Sequence, residues 1–140
     1  MQLAYLIGAV LALAVSGTAT LIRLDRDRAF YPTVMIVIAS YYALFAVMGG
    51  SVHALGVETA VIAVFLAASI VGFKYSLWLV VVALAAHGVF DGFHDRLITN
   101  PGVPAWWPQF CLTYDVVAAG YLASLLLRRE VGAPNVKTDR

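Results

Sequence analysis

One stretch of the sequence, from His87 to Arg96, contains two histidines and two aspartates within an otherwise apolar region. His87, Asp91 and His94 are four and three residues apart, and residues at these spacings lie on the same face of a helix. Imidazole nitrogens and carboxylate oxygens are the ligands that zinc and iron take in proteins. The stretch therefore predicts either a metal site or a buried polar network on one helix face.

Further ionisable residues occur in the neighbouring apolar segments. Asp115 follows Cys111 by four residues, which places both on one helix face, and Asp115 is expected to meet Asp91. His53 and Glu58 stand near the start of another segment. The predicted metal ligands are His87, Asp91, His94, Asp115 and His53, and a centre of Asp91, His94 and Asp115 or His53, with His87 deeper, fits one ion best. The cofactor expected is a divalent metal, zinc rather than iron.

The composition indicates that these residues lie in a membrane. The chain is 62% hydrophobic and 12% charged, with a mean hydropathy of +0.87, whereas soluble domains are about half apolar and about a quarter charged. A chain of 140 residues cannot hide this much apolar surface in a core. The net charge of +1 excludes the basic field that nucleic-acid binding requires, and the single cysteine, Cys111, excludes an internal disulfide.

Five apolar runs are long enough to be transmembrane helices, which need about 17 to 25 residues. The predicted fold is all-α, a polytopic bundle with residues 1–129 in the membrane domain and 130–140 as a flexible cytoplasmic tail. A glycine-rich stretch, 48–56, predicts a hairpin between the second and third spans. The predicted spans are Leu3–Ile22, Thr33–Val52, Thr59–Phe73, Ser76–Ile98 and Gln109–Leu127.

Basic residues predict the orientation, because cytoplasmic loops collect lysine and arginine. With the N-terminus outside and the C-terminus inside, Arg96 is the one basic residue placed outside. The first span is then retained rather than cleaved as a signal peptide, since no basic residue precedes it. Small residues on that span (Gly8, Ala12, Ser16 and Ala19) predict close helix packing.

This topology places the ionisable residues in the outer leaflet. His87 is expected about 15 Å below the outer end of its helix, where ionisable groups are costly and usually face the bundle interior. A zinc ion there would lower the pKa of a bound water to about 7, with Asp115 or Asp95 as the predicted catalytic base. Asp95 with Arg96 also fits an interfacial ion pair, and Cys111 fits a packing residue.

The segment from His87 to Tyr121 resembles a family of short bacterial integral membrane proteins of unknown function. The shared pattern is His-x-x-x-Asp-x-x-His, then Asn-Pro-x-Val-Pro, then Cys-x-x-x-Asp. In this sequence these are His87, Asp91 and His94; Asn100, Pro101, Val103 and Pro104; and Cys111 and Asp115. The resemblance implies a multi-pass protein of the bacterial inner (plasma) membrane and adds no chemistry.

Three functions remain open from the sequence. The first is a membrane-embedded metal-dependent enzyme, with hydrolase as the expected class, whose lipidic or small apolar substrate enters from the membrane lipid between helices. The second is a small proton- or ion-coupled transporter, in which His87, Asp91 and Asp115 form a relay. The third is an accessory subunit of a membrane complex. A homo-oligomer is compatible with each.

Overall fold

The five apolar runs form five α-helices, each long and apolar enough to cross a membrane. The computed structural model describes residues 2–131, and within this range the regular structure is entirely helical. The prediction of an all-α bundle with five spans is therefore confirmed. The helices are α1 Gln2–Leu21, α2 Phe30–Met48, α3 Val52–Lys74, α4 Leu77–Leu97 and α5 Trp107–Leu127.

The start of α3 differs most from the sequence prediction. The helix begins at Val52 rather than Thr59, because the Ser51 hydroxyl caps it by accepting a 3.1 Å hydrogen bond from the Ala54 amide. The α2–α3 turn is therefore limited to 49–51, shorter than the predicted hairpin, with Gly50 at a φ of 65° that favours glycine. His53 and Glu58 both become helical as a result.

The helices pack in an order that differs from their order in the chain. α1 lies against α5, α5 against α4, α4 against α3, and α3 against α2. The predicted stripe of small residues on α1 is buried as expected, and Gly8 lets α1 approach Phe110 and Thr113 of α5. The Thr113 hydroxyl donates a 2.9 Å hydrogen bond to the Tyr5 carbonyl oxygen at this contact. α1 and α2, although consecutive, are separated by a groove.

The two ends of the bundle differ in chemistry. The site end contains the α2–α3 turn and the α4–α5 loop, 98–106. The basic end contains the other connections and residues 128–131 after α5. An apolar core that includes Met35, Leu84 and Leu122 lies between the two ends. Of the predicted tail, residues 132–140 lie outside the described residues. The basic side chains of the basic end are Arg23, Arg26, Arg28, Lys74, Arg128 and Arg129.

Candidate functional site

Three ionisable side chains from α4 and α5 meet in the site-end half of the bundle. His87 and Asp91 come from successive turns of α4, and Asp115 comes from the facing turn of α5. The Nδ1 atom of His87 lies 2.7 Å from Oδ2 of Asp115 and 3.2 Å from Oδ2 of Asp91. All three residues are at most 1% exposed. They are called the triad below.

Gly88 allows α4 and α5 to approach this closely. It is buried in α4 next to His87, and a Cβ atom there would lie 2.9 Å from the Leu112 carbonyl oxygen and 3.1 Å from the Asp115 Cβ. A side-chain Cβ atom does not approach a neighbouring heavy atom closer than about 3.0 Å, so any other residue here would push the two helices apart. A glycine at this position therefore brings the Asp115 carboxylate within reach of His87.

The triad has more acceptor atoms than donors. Asp91 Oδ1 accepts a 2.7 Å hydrogen bond from the Tyr42 hydroxyl, while Asp91 Oδ2 and Asp115 Oδ1 have no hydrogen-bond partner among the described residues. Within residues 2–131, the one basic side chain paired with these two carboxylates is His87. Unpaired charge is costly at this depth, so the triad requires a further positive charge, either protons or a cation.

The geometry of the triad fits a small divalent cation. One potential ligand atom from each residue lies within 4.8 Å of the other two. Tetrahedral zinc with bonds of about 2.0–2.1 Å separates its ligand atoms by about 3.3 Å. The Asp91–His87 separation of 3.2 Å matches this value, and the Asp115–His87 separation of 2.7 Å would need to widen slightly. Tyr42, by holding Asp91, would act as the outer partner that fixes a ligand's orientation.

A second buried polar group lies nearer the site end. Oε1 of Glu58 is 2.8 Å from Nε2 of His94 and accepts a 3.0 Å hydrogen bond from the Asn100 side-chain amide. That amide also donates to the Tyr42 carbonyl oxygen at 3.1 Å. Asn100 thus ties the α4–α5 loop to α2 and α3. We call Glu58, His94 and Asn100 the cap group.

Tyr42 connects the triad with the cap group. Its hydroxyl donates to Asp91, and its ring stacks on His94 with a centroid distance of 4.1 Å and an interplanar angle of 19°. On the α3 side, Phe65 packs edge-on against the His87 ring at 4.7 Å. The aromatic rings therefore limit the orientations that both histidines can adopt.

No protein-family model, curated protein or solved structure matches this chain. The family resemblance described from the sequence pattern stays a prediction, and function must be argued from the geometry alone.

The structure brings together part of the predicted site. The ligands His87, Asp91 and Asp115 converge, whereas His94, on the same face of α4, lies 2.8 Å from Glu58 and belongs to the cap group. His53 lies exposed in the first turn of α3, outside the triad. The physical reason is that both residues are helical and five residues apart, which separates them by about 140° around α3, so that with Glu58 buried His53 faces outward.

Two further predictions concern Asp95 and Cys111. The Asp95 side chain is 66% exposed, with its nearest recorded partner, Nδ1 of His94, 3.7 Å away. This places Asp95 at the end of α4 and outside the triad. Cys111 is buried in α5, one turn from Asp115, and belongs to no described ligand group.

The residue spacing in the sequence indicates no site role for Tyr42 or for Asn100. A polar hydroxyl at the middle of an apolar span was the available signal for Tyr42. For Asn100, the signal was a side-chain amide directly before Pro101, at the end of the helix that holds the triad. Neither signal identifies the partner, because the partners lie on other helices.

A small cavity adjoins the α5 side of the site. It has a volume of about 220 Å³ and opens between α1 and α2. Its lining is apolar and aromatic, apart from the tyrosine hydroxyls and the buried thiol of Cys111 in its floor. The lining residues are Leu11, Val37, Ile38, Tyr41, Trp107, Phe110, Cys111 and Tyr114.

Proposed function

We propose that this chain is a membrane-embedded, metal-dependent enzyme of the hydrolase class, with zinc preferred over iron. The observation on which the proposal depends is the triad: three buried ligand atoms converge, and two of the carboxylate oxygens, Oδ2 of Asp91 and Oδ1 of Asp115, accept no hydrogen bond within the described residues. A buried ionisable group inside a membrane bundle is a functional candidate by default, because it is costly to keep there.

Each residue of the triad has a role in this proposal. His87, Asp91 and Asp115 would together hold the ion. A bound divalent ion would supply Lewis acidity toward a carbonyl or phosphoryl oxygen. Oδ1 of Asp115, which accepts no hydrogen bond within the described residues, would accept a proton from the attacking nucleophile. Tyr42 fixes the Asp91 carboxylate by its 2.7 Å hydrogen bond.

The cavity beside Cys111 supports a lipidic or small apolar substrate. It opens sideways between α1 and α2, where a membrane lipid would enter, and its apolar lining suits hydrocarbon. Cys111 lines the cavity and lies one turn from Asp115 on α5. The cavity therefore adjoins the helix turn that carries the proposed base.

The same geometry favours an enzyme over a carrier. A carrier needs polar groups that continue across the bundle, whereas the core between the triad and the basic end is packed with apolar side chains such as Leu84, Ala118 and Leu122. The polar groups of this layer include the hydroxyls of Tyr31, Tyr114 and Tyr121, and within the described residues none of these three hydroxyls is hydrogen-bonded to the triad. The distribution of arginines supports the further proposal that the triad lies in the outer leaflet of a bacterial plasma membrane.

Metal analysis of the purified protein tests the proposal. After growth with added zinc, the wild type is expected to hold about one ion per chain by inductively coupled plasma mass spectrometry. His87→Gln and Asp91→Asn should each lose the ion while keeping similar size. His53→Gln is the matched control, because His53 is exposed and outside the triad. A metal-free wild type, or equal content in all four proteins, would contradict the metal site.

A second experiment tests the hydrolase activity. The protein in lipid nanodiscs is incubated with a panel of ester- and amide-linked lipids, and products are identified by mass spectrometry. Asp115→Asn should reduce turnover by about 100-fold or more, the usual contribution of a positioned base, and a chelator should abolish it. If metal is bound but no lipid in the panel is cleaved, the result supports the metal site and contradicts the assignment to the hydrolase class.

A further inference from the structure

Two apolar cavities adjoin at the basic end, one lined by α1 and the start of α2, the other by α2 and the connection before it. Their volumes are about 370 Å³ and 380 Å³, and they share Leu24 and Phe30 in their walls. One stripe of α1 lines the first and one stripe of α2 lines the second, each at the three- and four-residue spacing of a helix face, and the two cavities together are called the groove below. The lining residues are Ala14, Val15, Thr18, Ala19 and Ile22 from α1, and Phe30, Thr33, Val34 and Val37 from α2.

The connection between α1 and α2 contains five charged residues within six positions. The side chains of three of them form hydrogen bonds within the protein. Asp25 is buried and accepts a hydrogen bond from the Thr20 hydroxyl. Asp27 accepts from the Ala29 amide at the start of α2. Arg28 donates to the Phe73 carbonyl oxygen at the end of α3, at 3.0 Å and 3.1 Å.

The other two charges, Arg23 and Arg26, face away from the protein. Both are exposed, and neither forms an ion pair or side-chain hydrogen bond within residues 2–131. They flank Leu24, whose side chain lines both cavities. Because Asp25 between them is turned into the bundle, their charge is not neutralised locally. Two guanidinium groups thus stand at the basic end of an apolar groove.

We propose that this groove binds one anionic phospholipid, with the acyl chain between α1 and α2 and the phosphate at Arg23 and Arg26. Guanidinium groups are suited to phosphate oxygens, and basic residues at a membrane surface attract anionic lipid. From Phe30 to Val37 the α2 wall is about 10 Å long, so an acyl chain along it would cover about a third of the hydrocarbon core, which is about 30 Å thick. The chain would end before the cavity beside Cys111, which is left to the substrate of the proposed enzyme.

A second copy of the chain is a weaker candidate for this groove. Two copies in the same orientation would bring Arg23 and Arg26 of both together, and like charges in close contact are unfavourable. The lipid is also distinct from the substrate of the proposed enzyme. Its phosphate would lie near the start of α4, and Asp91 is about 21 Å further along that helix.

Native mass spectrometry of delipidated protein tests the proposal. Phosphatidylglycerol or phosphatidylcholine is added back, and bound lipid per chain is measured over a titration. The wild type is expected to bind one phosphatidylglycerol at least tenfold more tightly than phosphatidylcholine. The double variant Arg23→Gln with Arg26→Gln should bind phosphatidylglycerol about 20-fold more weakly, because each basic residue near the surface contributes about fivefold.

The control is a second pair of arginines at the same end. Arg128→Gln with Arg129→Gln removes the same charge outside the groove, and Arg129 shares with Arg23 the unusual positive φ, 58° against 62°. This pair should leave the phosphatidylglycerol affinity within twofold of the wild type. An equal loss in both pairs would show a diffuse basic field and overturn the proposal.

A groove-filling variant tests the acyl-chain position. Ala14→Trp places a large side chain in the groove wall, and it should abolish the binding of one lipid. Ala67→Trp, at an exposed position on α3 that lines neither cavity, is the control for folding and should bind lipid as the wild type does. Unchanged lipid binding in Ala14→Trp would overturn the proposal. So would a wild-type dimer that Ala14→Trp converts to monomer while the number of bound lipids per chain stays the same.

Discussion

His87 and His94 occupy the same face of α4 but have different partners. α5 contributes Asp115 at the depth of His87, and α3 contributes Glu58 at the depth of His94. Spacing along one helix determines which residues share a face, whereas the partner depends on which other helix lies opposite at that depth. The proposed metal centre would consequently have one histidine and two aspartates, and three protein ligands would leave a coordination position open, as in catalytic zinc sites.

Tyr42→Phe tests the link between the triad and the cap group. The variant removes the hydroxyl that donates to Asp91 and keeps the ring that stacks on His94. Loss of an outer partner of a metal ligand typically weakens metal binding about 10- to 100-fold. Zinc competition with a chromogenic chelator would measure this change. Tyr41→Phe, at a half-exposed neighbour outside both polar groups, should keep the wild-type affinity; equal loss in both variants would argue against the role of Tyr42.

Glu58 is expected to stabilise the cap group because its carboxylate oxygen accepts hydrogen bonds from the other two members. Glu58→Gln keeps one carbonyl oxygen for Asn100 and His94, so its thermal midpoint in detergent should stay within a few degrees of the wild type. Glu58→Leu leaves the Asn100 amide and the His94 ring without their 3.0 Å and 2.8 Å partner. Breaking such a buried pair costs about 3–5 kcal/mol, so this variant should unfold at a clearly lower temperature. Equal midpoints for the two variants would contradict this role.

At the scale of the helices, most of the fold could be predicted from the sequence. Hydropathy located all five spans because a bilayer requires long apolar runs, and the small-residue stripe of α1 identified its packing face. The predicted start of α3 was wrong because Gly50 and Ser51 form a turn that is shorter than the hairpin predicted from the glycine-rich stretch. Because this cap makes both Glu58 and His53 helical, only Glu58 faces the bundle interior. This part of the site could therefore not be predicted from residue spacing within α4 and α5.

Gly88→Ala tests the contact between α4 and α5. The added Cβ would press on the Leu112 carbonyl oxygen and Asp115, so the helices must separate by a few tenths of an ångström. Overpacking of this kind typically costs about 1–3 kcal/mol, and the displaced Asp115 should also lower zinc affinity. Gly120→Ala is the matched control, because nothing lies within 4 Å of its Cβ position. Thermal unfolding and zinc titration of both variants should separate them; indistinguishable curves would show that this contact does not position Asp115.

At the scale of the whole molecule, chemistry is divided between the two ends. The triad and the cap group lie in the site-end half, while the exposed arginines Arg23 and Arg26 lie at the basic end. The apolar core between them separates the two regions. A protein with this division can hold a reactive centre near one membrane surface and be anchored electrostatically at the other, since anionic lipid attracts the basic end.

The direction of this polarity can be measured by cysteine labelling in intact bacterial cells. In a Cys111→Ala background, His53→Cys marks the site end and Lys74→Cys marks the basic end, and both positions are exposed. Because lysine and arginine collect in cytoplasmic loops, a membrane-impermeant maleimide should label His53→Cys at least tenfold faster than Lys74→Cys. Permeabilised cells should remove the difference, which controls for intrinsic reactivity. Faster labelling of Lys74→Cys would reverse the orientation and place the triad in the cytoplasmic leaflet, so that any lipid substrate would come from that leaflet.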